Sequence, residues 1–198
     1  ALYSAEQMNF VSGVDRNDIL YVGRLVKEKK PAILLESFIN ACSNSCFLAR
    51  LVFVGDGDER RILEAIVDRL PKSISERVVF CGHINDYNIL AGLYSNAFVS
   101  VSPGYVGLSI TQSFSFGIPM IISRNESHSP EIEAAKLGFN ADFFETNDIK
   151  DLEQKLQLFY GRRNEIDGIG DEIVKSCRRN YSVENMAEKL KYSMMNCL

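Results

Sequence analysis

Positive charge is not in surplus in this sequence: 22 lysines and arginines face 26 aspartates and glutamates, a formal net charge of −4. A chain that neutralises nucleic-acid phosphates carries the opposite balance, so nucleic acid is excluded as a general partner. Long apolar runs are also missing. None reaches the roughly 18 residues needed to cross a bilayer, and the opening ALYSAEQMNF lacks a basic region followed by an apolar stretch. Together these absences predict a cytoplasmic protein. Paired cysteines are lacking as well. Cys42, Cys46, Cys81, Cys177 and Cys197 are odd in number and scattered, show no CxxC spacing, and are accompanied by only two histidines. That pattern excludes a disulfide framework and predicts reduced thiols without a metal site. Cys81, inside VVFCG, reads as a small buried hydrophobe.

What is present describes one globular domain, 1–198, with 46% hydrophobic and 24% charged positions and no internal repeat. Six apolar runs, DILYVG, RLVFVG, RVVFCG, AFVSVS, IPMIIS and ADFFET, are rich in β-branched and aromatic residues and read as strands. Their near-continuous apolarity suits strands buried on both faces. Between them lie helical patterns: PAILLESFINAC, ERRILEAIVDRL, DYNILAGLYSN, LSITQSFSF and a short PEIEAAKLG. The alternation predicts an α/β fold, a Rossmann-like, doubly wound parallel sheet of about six strands with helices on both faces. Three further helices follow the last strand, broken by a turn at Gly161-Arg162-Arg163, the final one an appended helix over about 182–198.

Ligands of such sheets settle at the carboxyl ends of the strands, so the loops there carry the functional reading. VGRLVKEKKP ends a strand at Gly23 and sets Arg24 and Lys29 five positions apart, ahead of a helix opened by Pro31. A guanidinium and an ammonium in that place can clamp a diphosphate and stabilise it as a leaving group. The same run also reads as a solvated basic loop. FVGDGDERR offers Gly55, Asp56 and Gly57 but lacks the third glycine of a dinucleotide fingerprint and has acids in the first helical turn, so a tight turn is expected. CGHIND places Gly82 and His83 after a strand, where backbone groups can meet a flat nucleobase; a lone histidine there is equally a stacking or structural residue. In SPGYVGLSITQSFSFGIPM, Pro103-Gly104 makes a turn, Gly107 permits close backbone approach, and a helix beginning near Leu108 opens with uncapped amides that favour an anion. Ser109 adds a hydroxyl and Gln112 an amide, and no Asp or Glu occurs between Ser102 and Met120. The alternative is that Ser109 and Thr111 only decorate a buried helix.

Taken in order, these segments resemble the C-terminal, donor-binding half of a GT-B glycosyltransferase of family 4, over essentially the whole chain. The motif GRLxxxKG falls on Gly23, Arg24, Leu25 and Lys29, with Lys30 replacing its last glycine, and "vGxG" falls on Gly55 to Gly57. YSVENMAEKL is similar to the family's terminal segment, whose helix crosses back toward the amino-terminal domain. Two family glutamates, in PSxxEGFGLxxxEAMAxGxPV, are replaced by Gly104 and Gln112; the PGYVGL variant also resembles a subset of bacterial enzymes. Glu131 matches the ordinary "PE" helix start and has no catalytic reading.

The resemblance implies a nucleotide-diphosphate sugar of UDP or GDP type as donor. Its pyrophosphate would lie on the amides of Gly107, Leu108 and Ser109, with Arg24 and Lys29 as the catalytic cations that neutralise the departing phosphate. The base would rest by Gly82 and His83, and Gln112, which can donate and accept, would reach the ribose. Those cations do the work of a metal in other transferases, so neither metal nor cofactor is expected. The N-terminal acceptor domain is absent from the chain, so the saccharide or lipid-linked acceptor, and any membrane contact, belong to that missing half. The isolated chain is expected to bind donor weakly and transfer nothing. Bacterial polysaccharide or glycolipid assembly follows by association. Two other readings stay open: a degenerate, non-catalytic module that binds a nucleotide or partner enzyme, and a GT-B sugar-nucleotide epimerase. A nicotinamide dehydrogenase ranks last, for want of GxGxxG.

Overall fold

A computed structural model describes residues 3–196, which leaves Cys197 outside the described residues. The strands are β1 (Asp18–Val22), β2 (Arg50–Val54), β3 (Val78–Gly82), β4 (Ala97–Ser102), β5 (Met120–Ser123) and β6 (Ala141–Phe144). They form one parallel sheet in the order β3-β2-β1-β4-β5-β6, the doubly wound arrangement expected from the alternating pattern. The order reverses between β1 and β4, and that switch point sets where loops diverge and a crevice opens. The helices are α1 (Pro31–Ala41), α2 (Arg60–Val67), α3 (Lys72–Ser75), α4 (Tyr87–Asn96), α5 (Ser109–Ser115), α6 (Ile149–Gly161), α7 (Ile166–Tyr181) and α8 (Val183–Asn196). α1 packs on α6 and α5 packs on α7.

Burial explains the strand composition. Every residue of β4 is buried, as are Asp18, Ile19, Leu20 and Tyr21 of β1. Buried hydroxyls in this layer find partners: Ser100 Oγ lies 2.7 Å from Ser113 Oγ, which also donates to the Ile118 carbonyl at 2.7 Å. Aromatic edges fill the space between layers, with Phe47 packed between Phe38 of α1 and Tyr160 of α6. On the other side Tyr3, Tyr87, Tyr94 and Phe116 form one cluster. Arg16, 2% exposed, donates to the Tyr94, Ser95 and Ala97 carbonyls and so fixes the α4-to-β4 junction.

Local differences from the sequence reading have physical causes. PEIEAAKLG is a single 3-10 turn, Pro130–Ala134, instead of a helix. Asn140 ends it, donating from Nδ2 to the Ala134 carbonyl and accepting the Lys136 amide. ERRILEAIVDRL stops as a helix at Val67, and the short α3 after it was not expected. The break expected at Gly161-Arg162-Arg163 is present, with α6 ending at Gly161 and a 3-10 turn following at Arg163–Glu165. α7 continues past both of its glycines to Tyr181. A Cβ at Gly170 would stand 2.4 Å from the Phe10 ring, so the missing side chain leaves a notch that the N-terminal segment fills. Cys81 is half-buried rather than buried.

Two glycines brace the loops around β1. Gly23 N donates to Val54 O and Leu25 N to Asp56 O, each at 2.9 Å, which draws the loop after β2 against the loop after β1. A Cβ at Gly55 would lie 1.8 Å from Gly23 O, and one at Gly57 2.3 Å from Leu25 O; both residues also have positive φ, +143° and +155°. The Asp56 carboxylate accepts the Gly57 amide at 2.8 Å and meets Arg60 at 3.3 Å, so GDGDER makes a tight turn. Gly55→Ala is expected to lower the unfolding free energy by about 3 kcal/mol or more, because strain and overlap coincide there. A denaturant midpoint within experimental error of the parent's would refute this.

Candidate functional site: a cationic mouth at the switch point

Strands β1 and β2 end at one crevice of about 310 Å³, lined by Gly23, Arg24, Gly55, Asp56, His83, Asn85, Leu90 and Gln112 among others. Four sequence-predicted residues, Gly23, Arg24, His83 and Gln112, therefore share one cavity. His83 is exposed on its rim. Gln112 is 6% exposed, and its Nε2 donates to the Tyr3 hydroxyl at 2.8 Å, which leaves its carbonyl oxygen as the free acceptor. Tyr3 was not anticipated as a neighbour.

Lys29 stands outside those walls but is joined to Arg24 through Tyr105. Its Nζ donates to the Tyr105 carbonyl at 2.7 Å and lies 3.3 Å from the centre of the same residue's ring. Arg24 Nη2 lies 3.5 Å from the Tyr105 hydroxyl, and the Arg24 carbonyl accepts from Tyr21 at 2.7 Å. Burial, with the Arg24 guanidinium beside it, pushes the Lys29 ammonium down to about 8. Among the described residues, neither Arg24 nor Lys29 forms an ion pair, whereas the adjacent Lys30 pairs with Glu126 at 2.5 Å. Lys30 has φ +52°, the left-handed conformation that explains why a glycine suits that motif position. Its bonds to Glu126 and to Asn147 Oδ1 at 2.8 Å accompany the side chain there.

The turn leading into α5 packs against the cationic loop from outside the crevice. Gly104 presses on the cationic loop: a Cβ there would lie 2.4 Å from Glu28 O and 2.8 Å from Lys29 Cα. α5 starts without a side-chain cap, and the amides of Gly107, Leu108 and Ser109 donate to no acceptor among the described residues. One amide earlier the situation differs. Val106 N donates to His128 Nδ1 at 3.1 Å, and His128 Nε2 donates to the Ser123 carbonyl at 2.9 Å, which fixes the tautomer. His128 escaped the sequence reading, since nothing in the chain order ties it to a residue 22 positions away. Gly82, at φ +71°, contributes its carbonyl to Gly55 N at 2.8 Å and is not a wall of the crevice. Gly104, Gly107, Leu108 and Ser109 are likewise outside its lining. Burial raises the Cys42, Cys81 and Cys177 thiols, the last to about 12, and none of the three lines the crevice. Among the described residues, no cluster of three His, Cys, Asp or Glu side chains has metal-holding geometry, and no helix is long and apolar enough to cross a membrane.

Comparison with known proteins decides the family. Residues 16–161, most of the chain and all six strands, match the sequence profile of the glycosyl transferases group 1. The chain belongs to that family. Among curated relatives, the GDP-mannose-dependent alpha-(1-6)-phosphatidylinositol dimannoside mannosyltransferase of Mycobacterium tuberculosis is 32% identical over 127 residues, 63% of this chain and 31% of that protein. The sulfoquinovosyl transferase of Arabidopsis thaliana is 28% identical over 158 residues, 77% of this chain and 28% of that protein. Among solved structures, sucrose-phosphate synthase from Thermosynechococcus elongatus superposes with a TM-score of 0.79 at 21% identity, covering 100% of this chain and 51% of that one. HepE from Anabaena, solved in complex with UDP-glucose, gives 0.77 at 13% identity, covering 98% of this chain and 56% of the other. The group 1 chain thus spans about a third or less of its curated relatives and about half of each of those two structures.

The site geometry predicts the outcome of restoring the family acid at position 104. Gly104→Glu puts a side chain into the backbone of Glu28 and Lys29, and is expected to cost about 1–3 kcal/mol of stability. A variant as stable as the parent in thermal melts would show that the loop yields freely.

Proposed function

We propose that this chain is the donor-binding half of a glycosyltransferase that moves a hexose from a UDP- or GDP-type sugar to a saccharide or lipid-linked acceptor. One observation carries the reading: two convergent cations at the switch point are held only by neutral groups, beside three unengaged amides at the start of α5. Cations kept in place without a carboxylate retain their full charge for an anion.

The donor's pyrophosphate lies on the amides of Gly107, Leu108 and Ser109 in this reading. Arg24 and Lys29 offset the charge that develops as the glycosidic phosphate leaves. Gln112 accepts a ribose hydroxyl through the oxygen that Tyr3 leaves free, and the base rests against the rim near His83 and Gly82. Family membership supports transfer as the reaction. The mannosyltransferase relative uses GDP-mannose by name, and HepE was solved with UDP-glucose, so both donor types occur among similar proteins. The acceptor belongs to a second domain, and this chain alone is expected to bind donor without turnover. A non-catalytic nucleotide-binding module is the second reading; it is favoured by Gly104, where the packing leaves no room for a carboxylate.

Saturation-transfer NMR against UDP, GDP and ADP tests the proposal. Signal from one base and its ribose, weakened at least tenfold in affinity by the Arg24→Ala, Lys29→Ala pair, is the expected result; equal affinity in the double variant sinks it. The pH dependence has a definite sign. An anion stabilises the Lys29 ammonium, which titrates at about 8 in the free chain, so binding takes up a proton above that pH. Diphosphate affinity is therefore flat from about pH 7 to 8 and falls above it by up to about tenfold per pH unit, and Lys29→Gln removes that fall.

A further inference from the structure

We propose that Tyr105 is the positioning residue of the cationic mouth, holding Arg24 and Lys29 in place for a diphosphate without neutralising either. This rests on the donor-site reading above and assigns the residue that prepares the site. Tyr105 makes three separate contacts with the pair: its carbonyl and its ring face both engage the Lys29 ammonium, and its hydroxyl stands 3.5 Å from Arg24 Nη2. Each contact is neutral. A carboxylate in the same place would pair with the cations and compete with the incoming phosphates, whereas a carbonyl, a π-face and a phenol hold them and leave the net charge intact.

The surrounding packing fixes Tyr105 itself. Gly104 presses against the main chain of Glu28 and Lys29, and Val106 is fully buried with its amide on His128, so the residue between them has main-chain neighbours locked on both sides. The Tyr105 side chain is half-buried over the loop that carries both cations. Two like charges drawn toward one point repel each other, and Lys29 would swing into water if nothing held it. Holding them before the ligand arrives removes an ordering cost from binding.

The carbonyl contact survives any substitution at 105, so side-chain variants isolate the ring and hydroxyl. Calorimetry on the full chain with UDP and GDP, and with uridine and guanosine as phosphate-free controls, tests the inference. Tyr105→Ala is expected to weaken the diphosphate that binds by about tenfold, the scale of one cation–π contact, while the matching nucleoside keeps its affinity within twofold. Tyr105→Phe, which retains the ring, should restore binding to within about threefold of the parent. Three results overturn the inference. Tyr105→Ala could keep the parent's diphosphate affinity. It could instead weaken nucleoside and diphosphate equally, the mark of a general structural role. Tyr105→Phe could be as impaired as Tyr105→Ala, which would remove the ring from the explanation. Failure of the parent chain to bind either diphosphate is a separate result and overturns the donor-site reading, with this inference falling alongside it.

Discussion

The loop from Gly23 to Lys30 is gripped by main chain on both flanks, and its place depends on three residues having no side chain. Gly55 and Gly57 let the loop after β2 close on Gly23 and Leu25, and Gly104 lets the turn before α5 close on Glu28 and Lys29. Backbone-to-backbone contact of this kind admits no intermediate position, since even a methyl group would overlap a carbonyl. The cations of this loop therefore stand on a rigid support instead of a flexible surface run, although Arg24 itself is exposed. The same close packing leaves position 104 no room for any side chain, since a Cβ there would overlap the main chain of Glu28 and Lys29.

Electrostatics follows from that support. Acidic side chains are common in the chain, and two near the mouth are occupied elsewhere: Asp56 with the Gly57 amide and Arg60, Glu126 with Lys30. Glu28 of the loop itself is exposed and forms no ion pair among the described residues. The groups that hold Arg24 and Lys29 are neutral, and the three amides opening α5 follow shortly after Tyr105, whose carbonyl holds Lys29. His128 takes the amide just before these three, which leaves the rest unengaged.

Much of the architecture was legible because doubly buried strands have little choice of composition: AFVSVS and DILYVG are nearly continuous apolar runs, and they lie at the centre of the sheet. The end of the 3-10 turn at Ala134 was not legible, since it depends on the Asn140 side chain reaching back six residues. At the site, Arg24, Lys29 and Gln112 could be read from local spacing after a strand or within a helix turn. Tyr105 looked like part of a glycine-rich turn, and its contact with Arg24 spans 81 positions. Tyr3 reaches Gln112 across 109 positions. Such contacts are products of the sheet order, and no window of sequence short enough to show periodicity contains both partners.

The Tyr3 contact has a mechanical consequence. Its hydroxyl receives Gln112 Nε2, its carbonyl receives the Val183 amide at the start of α8, and its ring lies edge-on against Tyr87 and Phe116. One residue thus couples the first described stretch of chain, the last helix and a wall of the crevice. A tug on α8, which carries exposed Met186 and Leu190, would act on Gln112 through a lever only two hydrogen bonds long.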